Sequence, residues 1–87
     1  MKGERKEHLK TLRNWLLEAM KAHGGNTSIV EVCEYVWDNH EKELRSFGDM
    51  FFTWQYDIRW IADDLRKEGV LSGDLKPRGI WKLVKPS

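Results

Sequence analysis

The stretch Trp54-Gln55-Tyr56-Asp57-Ile58-Arg59-Trp60-Ile61-Ala62-Asp63-Asp64-Leu65-Arg66-Lys67-Glu68-Gly69-Val70-Leu71, with its return Arg78-Gly79-Ile80-Trp81-Lys82-Leu83-Val84, decides the fold. Trp54, Ile58, Ile61, Ala62 and Leu65 recur at helical spacing and form one apolar face. Gly69 ends that run, Val70-Leu71 starts a strand, and the segment after Arg78 reads as the returning strand. Ser72-Gly73-Asp74 and Pro77-Arg78-Gly79 bracket the turn between them, supplying glycines that tolerate unusual φ and a proline that fixes it. A helix followed at once by a short hairpin is therefore the expectation for the last third of the chain.

Upstream, Leu9, Leu12, Leu16, Ala19, Met20 and His23 share a stripe, which predicts a first helix from about Lys6 to His23, stopped by Gly24-Gly25. Ser28 and Glu31 have the spacing of a capping box, in which each side chain satisfies a free amide of the other residue at a helix start. A second helix then begins at Ile29. Ile29, Val32, Cys33 and Val36 face inward, Glu31, Glu34 and Asp38 face solvent, and Asn39-His40 frays the end. Residues 41–52 are ambiguous between a loop, a short extra helix, or both. Asp49 and Thr53 compete as N-caps of the third helix, since Met50 and Phe51 also fit its stripe. Residues 1–5 and 85–87 are expected to be disordered. Asn26-Thr27 is placed to pair as a short strand with the hairpin. The reading is one α+β domain over residues 1–87, mainly helical: a winged helix-turn-helix of three helices and a C-terminal wing.

Composition limits the partners. An 87-residue domain buries only about 60 to 65% of its unfolded surface, so the five tryptophans, at ~150 to 250 Å² apiece, are needed for the core. The single Cys33 excludes an intrachain disulfide and fits a reducing, cytoplasmic setting. No apolar run approaches ~18 residues, and Met1-Lys2-Gly3-Glu4-Arg5-Lys6 lacks the apolar segment of a signal peptide, so no membrane partner is expected. Net charge is +1, but it is unevenly spread: residues 1–23 and 69–87 each carry +3, residues 24–45 carry −3 and residues 46–68 carry −2. If the two basic ends fold onto one side, a positive face arises despite near neutrality.

The run Asp57-Ile58-Arg59-Trp60-Ile61-Ala62, then Leu65, Gly69-Val70-Leu71 and Arg78-Gly79-Ile80-Trp81, resembles the N-terminal domain of the Mrr restriction-system proteins. Gly24-Gly25 before the second helix fits the same pattern, whereas residues 39–52 depart from it. The resemblance implies a winged helix that serves as a DNA-binding or target-recognition module, joined in that family to a separate nuclease domain. The 87 residues contain no such nuclease domain. Arg59, Trp60, Arg78, Gly79 and Trp81 match the motif by type and spacing. A regulator, or the recognition part of a defence or mobile-element system, is the role this implies.

A helical wheel places Tyr56, Arg59, Asp63 and Lys67 opposite the core face of the third helix, with Gln55 and Arg66 on one side and Trp60 on the other. Gln55, Tyr56, Arg59 and Lys67 are thus candidate contacts to double-stranded DNA. Gln can bond adenine and Arg can bond guanine through two hydrogen bonds in the major groove. Asp57, Asp63 and Asp64 on the same helix oppose this, because a polyanion repels them unless they turn away. The competing reading is a solvated helix with i, i+3 and i, i+4 ion pairs.

Lys76, Arg78 and Lys82 in the hairpin are candidate phosphate contacts that would position the duplex without reading it. Arg78 has a structural alternative, stacking on Trp81 or Trp60. Lys2, Arg5, Lys6, Lys10 and Arg13 could extend the basic surface or simply keep the first helix soluble. Trp15, Leu17 and Trp60 are candidate interface residues for a homodimer or protein partner, against the alternative that the hairpin and the 39–52 segment cover them. A protein-interaction or dimerisation module using exposed aromatics and the acidic middle is the second functional reading.

Catalysis finds little purchase. His8, His23, His40 and Cys33 lack zinc-ligand spacing, so no metal or other cofactor is expected. Asp74-Leu75-Lys76 has the acid-x-lysine form of metal-dependent nucleases but no partner acidic strand. Gly24-Gly25 and Gly69 do not form a phosphate-cradling loop.

Overall fold

The computed structural model describes residues 2–73 and 79–84, with side chains from residue 5 onward. Three helices carry most of the chain: α1 (Lys2–Ala22), α2 (Ile29–Arg45) and α3 (Trp54–Lys67). Three short strands, β1 (Asn26–Ser28), β2 (Leu71–Gly73) and β3 (Ile80–Leu83), form one antiparallel sheet in the order β1-β3-β2. The class is mainly helical α+β. A single 3-10 turn, Gly48–Phe52, links α2 to α3.

The helix ends follow from local chemistry. Gly24 and Gly25 both adopt positive φ after α1, and the Gly25 amide bonds back to the Met20 carbonyl at 2.8 Å, closing the helix as glycine after a C-terminus commonly does. The Gly25 carbonyl then accepts the Leu83 amide at 2.7 Å, which ties the end of α1 to β3. At the start of α2 both halves of the Ser28–Glu31 capping box are present. Gly69, with φ +84°, ends α3, and the Val70 amide returns to the Leu65 carbonyl at 2.9 Å.

One core gathers the inner side of every element. Leu12, Leu16 and Met20 of α1, Val32, Val36 and Leu44 of α2, Ile58, Ala62 and Leu65 of α3, and Leu71 and Trp81 of the sheet are all buried in it. At ~25 cal/mol per Å² of apolar surface removed from water, burial on this scale is the main term holding so small a domain together. In the sheet, Thr27 and Trp81 point inward, while the cross-strand row Asn26, Lys82 and Ser72 points outward.

Several expectations change. α1 begins at Lys2 rather than near Lys6, so residues 2–5 are helical; Met1 and residues 85–87 lie outside the described residues. α2 does not fray at Asn39-His40. It bends there, with His40 at φ −134° and ψ 25°, and continues to Arg45. The reason is tertiary: His40 stacks on Trp15 at 4.1 Å between ring centroids and its Nε2 lies 3.1 Å from Glu18, while Leu44 beyond the bend is fully buried. The ambiguous 41–52 segment is the last turn of α2 plus the 3-10 turn, and α3 starts after Thr53. Trp15 is not a free surface residue: it is 8% exposed, held between His40 and the Phe47 ring at 5.7 Å. Leu17 is half-buried against the same core.

Candidate nucleic-acid interface

α3 is buried along Trp54, Ile58, Ile61, Ala62 and Leu65, so its other side is open to solvent. There Tyr56, Arg59, Trp60 and Asp63 line one shallow groove of about 380 Å³. Tyr56 and Trp60, 63% and 57% exposed, sit edge to face at 6.0 Å. Arg59 lies between them in sequence, and among the described residues its guanidinium meets no carboxylate. A free, fully charged fork of donors beside two exposed rings can bond a flat hydrogen-bonding edge or a phosphate.

The three aspartates of α3 are placed very differently. Asp57 is 5% exposed and turned inward: Thr53 Oγ1 donates to it at 2.9 Å and Arg5 approaches at 3.4 Å. Asp64 lines the separate cleft between α3 and α1. Asp63 alone of the three lines the open groove, and it is bonded to Lys67 at 3.2 Å. In the open groove the polyanion objection raised by the sequence therefore reduces to one carboxylate that already has a cation, whereas Asp57 and the exposed Asp64 line the cleft that holds Lys6 and Lys10.

The cleft between α1 and α3 is lined on one side by Lys6, Lys10 and Arg13 and on the other by Trp60 and Asp64. Trp60 thus borders both surfaces. Arg13 is committed elsewhere, to Glu68 through two bonds of 2.9 and 3.0 Å, which hold the Glu68 carboxyl below the usual carboxylate range. Arg5 is committed to Asp57. Lys6 and Lys10 have no carboxylate partner among the described residues and lie exposed beside Trp60. Lys6, Lys10 and Arg13 share one helical stripe next to the Leu9–Leu12–Leu16 core stripe, a periodicity visible in the sequence.

The remaining candidates divide. Lys82 stands in the middle of the outward face of the sheet, opposite Asn26 and Ser72, and does not line the α3 groove. Lys67 is exposed but paired with Asp63. Gln55 is exposed, yet it faces α2 rather than the Tyr56–Arg59 groove. Lys76 and Arg78, and with them the Asp74-Leu75-Lys76 element and the Arg78 stacking alternative, lie outside the described residues. Phe52, 83% exposed just ahead of α3, is an aromatic that no periodicity singled out.

Other chemistry is sparse. Burial pushes the Cys33 thiol up to about 11, which leaves it protonated at neutral pH and a poor nucleophile. Among the described residues no three His, Cys, Asp or Glu side chains gather as metal ligands, and no helix is long and apolar enough to cross a membrane. No family model matches the chain, and neither a curated protein nor a solved structure matches it.

Proposed function

We propose that this chain is a winged-helix DNA-binding module, with α3 entering the major groove and the β2–β3 hairpin lying along the backbone. The order α1-β1-α2-α3-β2-β3 with sheet order β1-β3-β2 is the connectivity such a reading needs. The resemblance to the N-terminal domain of Mrr restriction-system proteins belongs to the same proposal. The observation that carries it is Arg59, without a carboxylate partner among the described residues, between Tyr56 and Trp60 on the open side of α3, with Asp57 turned into the protein. Arg59 would bond guanine or phosphate, Tyr56 and Trp60 would pack on sugar or base edges, and Lys6 and Lys10 would hold the flanking phosphates. Lys82, with Lys76 and Arg78, would supply the backbone contacts of the wing. The role that fits is recognition, in regulation or in a restriction or defence system, and not catalysis.

Fluorescence anisotropy of labelled duplex DNA at low and moderate salt tests this. Arg59→Ala should weaken binding about tenfold, the loss of one good base contact, and Lys82→Ala should lower the slope of log affinity against log salt by about one phosphate contact. Binding that ignores salt, or affinity untouched by both changes, would end the proposal.

A second reading has its own observation. Phe52, Tyr56 and Trp60 are large exposed aromatics on or beside α3, and such residues concentrate at protein interfaces. Here the face would hold a protein or a second copy of the chain. Light scattering across a concentration series tests the self-association form, which Trp60→Ala should abolish and a strict monomer would remove.

A further inference from the structure

We infer that the groove between α2 and α3 is a docking site for a cationic amphipathic helix of a partner protein. This does not rest on the DNA reading, since it uses a different surface.

The groove measures about 570 Å³ and is open to solvent along its length. Its floor is Ile29, Cys33 and Trp37, spaced i, i+4, i+8 along α2, each half-buried against the core. Its outer rim is Val30, Glu34 and Asp38, one residue further round at the same spacing. Gln55 of α3 borders the opposite side. Two parallel stripes over eight residues span about 12 Å, a little over two helical turns. That is the footprint into which the i, i+3, i+4 anchors of a helix fit.

The chemistry of the rim specifies the occupant. Val30 is 58% exposed, so the rim itself begins apolar. Glu34 and Asp38 are exposed, and among the described residues neither meets a cation or a hydrogen-bond donor. Like charges at i, i+4 repel along a helix, and no cation among the described residues neutralises this pair. A helix carrying Lys or Arg along one flank of an apolar stripe would relieve the repulsion while covering the floor. The same carboxylates repel phosphate, which sets this surface apart from the Arg59 side of α3. The Trp37 ring accepts a cation within the protein itself, since the Arg45 guanidinium, bonded to Glu41 at 2.8 Å, lies 5.4 Å from its centroid.

The test titrates the full chain, labelled for amide NMR, with two synthetic peptides of about 14 residues that share a leucine stripe. One has lysines flanking the stripe and the other has glutamates. The lysine peptide should shift the amides of residues 29–38 and Gln55, bind at least about tenfold tighter than the glutamate peptide, and weaken with salt. Combining Glu34→Lys with Asp38→Lys should invert the preference; both positions are exposed, and circular dichroism checks that the variant folds. Bound lysine peptide should also slow alkylation of Cys33, the only thiol. Absence of binding by either peptide, equal affinity for both, or shifts confined to the outer side of α3 would overturn the inference. So would duplex DNA shifting the α2 amides, or association of the chain with itself that shifts them without peptide. Failure of DNA binding alone would leave it standing.

Discussion

α2 and α3 each drive one side into the same core, yet their free sides carry opposite chemistry. Along α2 the uncovered flank is an apolar trough edged by Glu34 and Asp38, carboxylates without a cation partner among the described residues. Along α3 it is an aromatic groove around Arg59, unpaired among the described residues, with the acids of the helix turned inward, turned toward α1, or paired with Lys67. Burial says nothing about this difference, because both inner faces satisfy the same hydrophobic requirement. The contrast teaches that in a domain with a net charge of +1, the relevant electrostatics are those of each face.

The largest effect should come from removing the support both faces share. Trp81 is 1% exposed in β3, and Trp81→Ala should cost ~3 to 5 kcal/mol of stability, as large-to-small changes in a core do. Urea denaturation measures this. Loss of DNA affinity with the α2 groove still accepting its peptide would show that the two faces are not built on one core.

Gly73→Ala should come next. Gly73 has φ +108°, and an added Cβ would run into the Ile80 carbonyl oxygen of the paired strand. A non-glycine residue held there is strained by ~1 to 3 kcal/mol. Amide exchange should rise in β2 and β3 and leave α2 unchanged; uniform loosening of all three helices would contradict a local hairpin effect.

A finer probe compares two acids of α3. Asp63→Asn frees Lys67 and removes the carboxylate from the open groove, so DNA affinity should rise severalfold. Asp57→Asn should leave affinity alone and lower stability by ~1 to 2 kcal/mol through the weakened Thr53 and Arg5 contacts. Anisotropy and denaturation curves on both variants check this, and reversed outcomes would mean that Asp57 faces the ligand.

The smallest expected effect is acid sensitivity at the bend of α2. The Tyr35 hydroxyl donates to Glu18 at 2.8 Å and the His40 ring lies 3.1 Å away, and together they hold the Glu18 carboxyl below its ordinary value of 4.5. A depressed carboxylate contributes stability above its unfolded value and loses it as pH falls through the folded one. The contribution should therefore be full at neutral pH and fade below the ordinary value, by less than about 1 kcal/mol because the group is solvent-screened. Glu18→Gln should flatten part of the fall in melting temperature over that range. An unchanged acid profile would remove Glu18 from the account.

Much of the fold was legible in the residues. The helical stripe of Trp54, Ile58, Ile61, Ala62 and Leu65, the glycines after α1 and α3 and the Ser28–Glu31 capping box are local signals, and the elements sit where those signals place them; the strand at Asn26-Thr27 was expected from its pairing with the hairpin. The continuation of α2 past His40 was not legible, since it depends on Trp15 and Glu18 from another helix. Of the candidate site, the outward position of Tyr56, Arg59 and Trp60 followed from the wheel. The burial of Trp15, the inward turn of Asp57, and the pairing of Lys67 and Arg13 did not.

Sequence by itself determined the number and order of the helices and strands, because periodicity, caps and glycines act over a few residues of the chain. Tertiary structure decided which charges remain free and which aromatics stay exposed. Arg5 and Asp57 are 52 positions apart, and Arg13 and Glu68 are 55 apart. Only packing α1 against α3 brings such partners within bonding distance, and among the described residues it leaves Arg59, Lys6, Lys10, Glu34 and Asp38 without an ion-pair partner.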